Sequence, residues 1–253
     1  MIEWIKTYAP NVYNYRDIFL DCIIATWQMF IIAGSLILLI GGTFGVILTV
    51  TAERGIHPIK SVHLIFEIIT NIFRSIPFII LLIFLIPVTR WITGTAIGVK
   101  GAIVPLVVGA VPFFTRQMES ALADVDPGKI EAARSMGSST AGIIFRVYLK
   151  EAVPGIIRAI TITAISLVGL TASAGAVGAG GIGSFAINYG QNLHYQDIVN
   201  VCVLLLLVVI SLIQFIGNTL SRGTTNRKLF SGHLPFKTAE NTASQHDTAA
   251  TAV

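Results

Sequence analysis

The chain has 253 residues, of which 54% are hydrophobic and 12% charged, and its formal net charge is +4. Soluble domains carry about 25% charged residues, so this composition excludes a water-facing globular surface and a disordered chain. Two cysteines are too few for a disulfide scaffold. The composition is typical of an all-α integral membrane protein. We attribute the basic excess to cytoplasmic loops, not to nucleic-acid binding.

Five apolar stretches are long enough to cross a bilayer. Residues 1–24 contain charged and aromatic residues and predict a segment at the membrane interface. Residues 25–222 form the predicted transmembrane domain, since a spanning helix needs about 20 mostly apolar residues. The polar residues 223–253 predict a disordered tail. The five predicted spans lie near 26–51, 66–88, 98–116, 153–173 and 197–219.

The basic residues predict the orientation of these spans. With the N-terminus outside and the C-terminus in the cytoplasm, the inner segments hold eleven Lys and Arg residues and the outer segments hold four. Cytoplasmic loops of membrane proteins carry such an excess. We therefore expect a multi-pass protein with its N-terminus outside and its C-terminus inside.

The cytoplasmic loop 117–151 predicts two short helices joined by a glycine. Asp126 can cap the first helix, and Pro127 is tolerated in its first turn. Gly137 can adopt the left-handed conformation that ends this helix. The second helix carries an apolar stripe that suits a protein partner, the lipid surface or the core of the chain itself. The stripe consists of Ile143, Ile144, Val147 and Tyr148.

The loop resembles the EAA motif of permease subunits of ATP-binding-cassette (ABC) importers. The motif begins with Glu-Ala-Ala at 131–133 and continues with Gly137. In that family I-x-L-P follows nine residues later, where this chain has Val147 for the Ile and Lys150 for the Pro, so Pro154 is left to break the helix. The resemblance covers about 25–225 and is strongest to the permeases of methionine (D-/L-methionine) importers. The other matching stretches are 71–82, 102–113 and 175–183.

The resemblance implies the permease subunit of an ATP-driven importer of an amino acid, with methionine as the expected substrate. The implied partners are a second copy of the chain, two ATP-binding cassette subunits, an extracytoplasmic substrate-binding protein and the lipid of a bacterial cytoplasmic membrane. The chain itself is expected to be no enzyme and to hold no cofactor or metal. ATP is expected on the partner subunit, because the phosphate-binding G-x-x-x-x-G-K-[ST] sequence is missing here. The residues expected to couple the loop to the ATPase are Glu131, Ala132, Ala133, Gly137, Ile143, Ile144, Arg146, Val147 and Leu149.

Two other classes of protein compete with this hypothesis. An ion-gradient-driven secondary transporter predicts internal repeats and acidic residues within the spans. The acidic residues of this chain instead cluster at span ends and in loops. A membrane assembly factor without transport activity explains the spans but not the loop.

A last group of residues are candidates for the transport pathway or for helix packing. Arg74 is an ionisable residue within a span, which suggests a function, although snorkelling to the interface or pairing with a loop explains it as well. The glycines after the fourth span fit G-x-G-x-x-G, but they follow a long apolar span and not a strand. Close helix packing is therefore favoured over nucleotide binding. The group comprises Arg74, Pro77, Gly175, Gly178, Gly180, Gly181 and Gly183.

Overall fold

The computed structural model describes residues 9–53 and 55–231, with side chains as far as residue 224. All regular secondary structure in these ranges is helical. The helices are α1 (Pro10–Asn14), α2 (Arg16–Thr51), α3 (Lys60–Ser75), α4 (Phe78–Phe84), α5 (Ile86–Thr93), α6 (Gly98–Ala123), α7 (Pro127–Ser135), α8 (Thr140–Ile143, continued by the π-helical turn Ile144–Tyr148 and by Leu149–Glu151), α9 (Val153–Ala174, continued by the π-helical turn Gly175–Ala179), α10 (Gly181–Phe185, continued by the π-helical turn Ala186–Gln191) and α11 (Gln196–Ser231).

Four helices are long and apolar enough to cross a membrane. They are α2, α6, α9 with its continuation (Val153–Ala179), and α11 over Gln196–Thr224. The pair α3 and α4 is apolar enough to count as a fifth span if the two helices, bent by 103° at their junction, are taken together. The prediction of an all-α membrane protein is confirmed, with four to five spans in the described part of the chain.

The span predicted near 66–88 falls on two helices and not on one. Helix α3 ends at Ser75, and Ile76 has extended backbone angles (φ −86°, ψ 123°). Pro77 causes this break, because its ring disfavours a helical conformation in the preceding residue and it has no N–H to donate. The break turns the chain sharply inside the membrane domain, and α4 starts immediately after it.

Two further boundaries differ from the predictions. Helix α2 begins at Arg16, so part of the predicted interfacial segment 1–24 belongs to the first long helix. Helix α11 extends to Ser231, so the predicted tail 223–253 starts as helix and not as disordered chain. A hydropathy window locates the apolar part of a helix, and the helix continues into the polar residues that flank the hydrocarbon. The residues outside the described ranges are 1–8, 54 and 232–253.

Helix α6 lies at the centre of the membrane domain, between α2 and α9. Small residues let its neighbours approach closely, as is usual in membrane helix packing. The hydroxyl of Thr115, fully buried on α6, donates a hydrogen bond to the carbonyl of Gly41 on α2 at 3.3 Å. The main buried cluster contains Met29, Ala33, Ile37, Leu82, Ala102, Leu106, Ala110, Val111, Phe114, Ala159, Leu167, Ala174 and Ala179.

Gly45→Val is expected to lower the free energy of unfolding by about 1–3 kcal/mol or more, because overpacking usually costs this much. A Cβ at Gly45 would lie 2.6 Å from Cβ of Met118 on α6, so α2 and α6 would have to separate. Gly42→Val is the matched control on the same helix, because its Cβ would meet only a ring atom of Phe114, at 3.7 Å. Thermal unfolding of the detergent-purified variants measures the difference, and equal midpoints would contradict this account of the α2–α6 contact.

Helix α3 turns its polar face towards the protein. Arg116 of α6 donates hydrogen bonds to Glu67 (3.2 Å) and Asn71 (3.1 Å) of α3, and to Glu119 of its own helix (2.7 Å). The opposite face of α3 is apolar and exposed, including Leu64, Ile65, Ile68, Ile69 and Ile72. This arrangement suits a helix that faces lipid or a second membrane subunit.

Candidate functional site

The loop between α6 and α9 begins later than predicted, because α6 extends to Ala123 and not to 116. Asp126 then caps α7, with its carboxylate accepting a hydrogen bond from the Gly128 N–H at 2.8 Å. Pro127 occupies the first turn, where its missing N–H costs nothing. The predicted start of the first loop helix is thus confirmed at the level of its individual contacts.

Gly137 ends α7 in the left-handed conformation, with φ of +75°. The Gly137 N–H donates to the carbonyl of Arg134 at 2.9 Å, and the Ser138 N–H donates to that of Ala133 at 3.1 Å. This pair of hydrogen bonds is the Schellman motif, which satisfies the last carbonyls of a helix. The hydroxyl of Ser139 then caps α8 by accepting a hydrogen bond from the Gly142 N–H at 3.2 Å. The helix–Gly–helix geometry of the loop is therefore defined by its own backbone and cap contacts.

The apolar stripe of α8 faces the membrane domain. Ile143 is 1% exposed and Tyr148 is 6% exposed. They belong to a buried cluster with Met118 and Leu122 of α6, and burial raises the pKa of the Tyr148 phenol. Of the three coverings that the sequence left open for the stripe, the chain's own core is therefore the one that Ile143 and Tyr148 have. A stripe with helical period predicts which face is buried but not what covers it.

Two polar contacts fasten the loop. The Arg134 guanidinium donates to the carbonyl of Ile56, in the connection between α2 and α3, at 2.6 Å. Lys129 of α7 forms an ion pair with Glu151 at the end of α8, at 2.8 Å. Together with the buried stripe, these contacts hold α7 and α8 as one unit against the ends of the spans.

The outer face of the loop carries a different set of side chains. Met136 is 78% exposed and Phe145 is 67% exposed, which is unusual for large apolar residues unless they meet a partner. Neither was predicted, although an aromatic residue on the otherwise polar face of an amphipathic helix was a readable signal. Phe145 lines a surface pocket of about 370 Å³, whose other lining residues are Ser138, Ser139, Ala141, Gly142 and Arg146.

The predicted coupling residues divide between the two faces of the loop. Helix α8 continues through Lys150, and the chain breaks at Ala152, with Pro154 in the first turn of α9. A proline at position 150 would have ended α8 earlier; in this chain the break comes at Ala152, just before Pro154. Exposed are Glu131, Ala132, Gly137 and Arg146; partly buried are Ile144, Val147 and Leu149; buried are Ala133 and Ile143.

The glycines after α9 allow close backbone packing. A Cβ at Gly175 would lie 2.5 Å from the amide nitrogen of Ser184, and one at Gly183 would lie 2.0 Å from the carbonyl oxygen of Ala172. Gly181 is equally enclosed, by Thr26 of α2. Positive φ angles at the remaining members of the group reverse the chain between α9 and α10. These angles are +92° at Gly178 and +79° at Gly180.

Arg74 and Pro77 lie at a separate place, the break between α3 and α4. Arg74 is exposed, and it lines a cavity of about 310 Å³ between α3, α4, α6 and α9. Pro77 is likewise exposed and shapes the break itself. The structure therefore offers two candidate sites: a loop surface that can bind a protein, and a cavity within the membrane domain.

The described fold is that of a multi-pass membrane protein with a helix–Gly–helix loop fastened to its spans. The chain matches the family described as the inner membrane component of binding-protein-dependent transport systems over residues 41–226, and it belongs to that family. It is accordingly a multi-pass protein of the cytoplasmic membrane.

Within this family, the chain is similar to permease proteins of methionine transport systems. A probable D-methionine transport system permease protein, MetI, of Vibrio cholerae is 44% identical, over 80% of this chain and 92% of that protein. The methionine import system permease protein MetP of Bacillus subtilis is 42% identical, over 69% and 79%. A solved structure of the MetNI methionine ABC transporter in an inward-facing conformation matches with a TM-score of 0.81 and 42% identity. That match covers 83% of this chain and 98% of the other.

Proposed function

We propose that this chain is the membrane-spanning subunit of an ATP-driven importer that moves methionine into the cytoplasm. The observation that carries the proposal is the match to a methionine ABC transporter at 42% identity over nearly the whole of that chain. The named relatives are described as permease proteins of a probable D-methionine transport system and of a methionine import system. A gradient-driven secondary transporter is not favoured, because the matched family is a component of binding-protein-dependent transport systems and the solved match is an ABC transporter.

The proposal includes a separate ATPase that binds the outer face of the loop. Phe145 and Met136 supply exposed apolar anchors, and Arg146 supplies a charge beside the pocket. Binding energy usually concentrates in a few such aromatic and arginine residues. Because the loop is fastened to α6 and to the α2–α3 connection, a displacement of the loop by the ATPase would reach the spans.

The proposal also includes a homodimer and an external binding protein. The described part of one chain places most of its large exposed apolar side chains on α2, α3, α4 and α11, which leaves ample surface for a second copy in the membrane. Homodimers with two-fold symmetry are the commonest soluble oligomers, and two copies would enclose a pathway between them. An extracytoplasmic protein would then deliver the substrate to the outer opening.

Reconstitution into liposomes tests the proposed function. With the ATPase subunit and the binding protein of the same genome, we expect uptake of radiolabelled methionine that requires ATP on the side of the membrane where the ATPase lies. Omission of either partner should abolish uptake. Uptake that persists without ATP and collapses when an ionophore dissipates the ion gradient would contradict the importer and favour a secondary transporter.

The proposed orientation places the N-terminus outside and the C-terminus in the cytoplasm. Ile187, exposed in the turn before α11, is then external, and Ser138 of the loop is cytoplasmic. After Cys22 and Cys202 are replaced by Ser, Ile187→Cys should react with an impermeant maleimide added to intact cells. Ser138→Cys is the control and should react only in inverted vesicles. The reverse pattern would refute the orientation.

A further inference from the structure

The cavity at the break between α3 and α4 has the size and lining of a small-molecule site. Its volume of about 310 Å³ is at the lower end of the range for ligand pockets, about 300–1,000 Å³. Leu81 and Leu170 form apolar walls. Three partly buried aromatic rings also line it: Phe73, Phe78 and Phe113.

Two polar side chains that line the same cavity have no partner within the described part of the chain. Arg74 forms no hydrogen bond or ion pair with any residue that the structure describes, although ionisable groups in membrane domains are normally paired or functional. The hydroxyl of Ser166 on α9 likewise forms no hydrogen bond with any residue that the structure describes. The other hydroxyls of α9 all donate to backbone carbonyls of their own helix. These are Thr161, Thr163, Thr171 and Ser173.

We infer that this cavity is a transient binding site for the transported amino acid within the permease. The inference rests on the proposed function and identifies where the substrate is held on its way through. The Arg74 guanidinium matches the α-carboxylate of the substrate, because its fork of donors binds carboxylates in bidentate fashion. The hydroxyl of Ser166 is available as a second donor.

The aromatic lining fits the rest of an amino acid with an apolar, sulfur-containing side chain. An ammonium group is attracted to the face of a phenyl ring, and a thioether makes favourable contacts with aromatic rings. Phe73, Phe78 and Phe113 supply such rings from three different helices. The phosphate of a lipid headgroup is the competing anion for Arg74, but a phosphate makes no favourable contact with the aromatic rings of this lining.

Protection of a cysteine in the cavity tests the site. Ser166→Cys is introduced into the complete transporter in membranes after Cys22 and Cys202 are replaced by Ser, and the rate of maleimide modification is measured. Methionine should slow the reaction, whereas methioninol, which keeps the ammonium and the side chain but lacks the carboxylate, should protect about ten- to a hundredfold more weakly. A cysteine that methionine leaves unprotected, or that no maleimide reaches, overturns the inference.

Charge variants then test the role of Arg74. Arg74→Gln should remove the difference between methionine and methioninol, and Arg74→Lys should retain part of it. Arg158→Gln is the matched control, because Arg158 is exposed on α9 and does not line the cavity. If a lipid phosphate holds Arg74, the cysteine will be shielded with or without methionine in membranes and freed by delipidation, which also overturns the inference.

The two proposals fail separately. Protection by methionine in a chain that neither binds the ATPase nor transports would refute the importer and leave the binding site. ATP-driven methionine uptake by the Ser166→Cys variant, with its introduced cysteine left unprotected by methionine, would refute the binding site and leave the importer.

Discussion

Ile143→Ala should destabilise the permease by about 2–5 kcal/mol, whereas Phe145→Ala, two residues away on the same helix, should leave its stability unchanged and weaken ATPase binding. Ile143 is buried against the ends of the spans, so its truncation leaves a cavity. Phe145 is 67% exposed and contacts the surface pocket of the loop. Truncation of an aromatic anchor in an interface costs about 2 kcal/mol or more in binding, roughly a thirtyfold loss of affinity.

Two measurements separate these effects: thermal unfolding of the isolated permease and co-purification of the ATPase at several concentrations. Glu131→Lys and Gly142→Arg extend the test to other positions of the same face, where charge or bulk would meet the partner. The loop would not be the coupling element if Phe145→Ala, Glu131→Lys and Gly142→Arg all retained the ATPase at wild-type stoichiometry and still transported.

Gly137→Val should abolish most transport while the protein still inserts in the membrane. The backbone at Gly137 has φ of +75°, where a β-branched residue costs about 1–3 kcal/mol of strain. A Cβ there would meet no atom within 4 Å, so the effect comes from the backbone alone. Relief of the strain would rotate α8 relative to α7 and displace the surface that carries Phe145.

Gly137→Asn is the control for this variant, because Asn tolerates the left-handed conformation. We expect it to transport nearly as well as the wild type. ATP-driven uptake per inserted molecule is the quantity to compare. Normal uptake by well-expressed Gly137→Val would show that the Schellman turn is not required for coupling.

The sequence predicted the features that depend on local chemistry. Runs of about 20 apolar residues located four continuous spans, and Asp126 and Gly137 marked the ends of α7 because capping and left-handed turns need those residue types. The break at Pro77 was also readable, since proline disfavours helix in the residue before it, but the hydropathy of residues 66–88 concealed it.

Features that depend on tertiary contacts were not predictable. The stripe of Ile143 and Tyr148 has the same period whether a partner, lipid or the chain's own core covers it. The ion pair between Arg116 and Glu67 likewise depends on how α6 packs against α3. The unpartnered state of Arg74 and Ser166 among the described residues likewise follows from where other helices place their donors and acceptors.

The way in which the loop is seated determines which parts of the chain a force on it would move. Its buried side chains interlock with Val46 and Val50 of α2, with Leu122 of α6 and with Ile156 of α9, and Arg134 ties it to the connection after α2. Close-packed interiors transmit strain because they are hardly compressible. A torque applied at Phe145 would therefore tilt the cytoplasmic-loop ends of α2, α6 and α9 together.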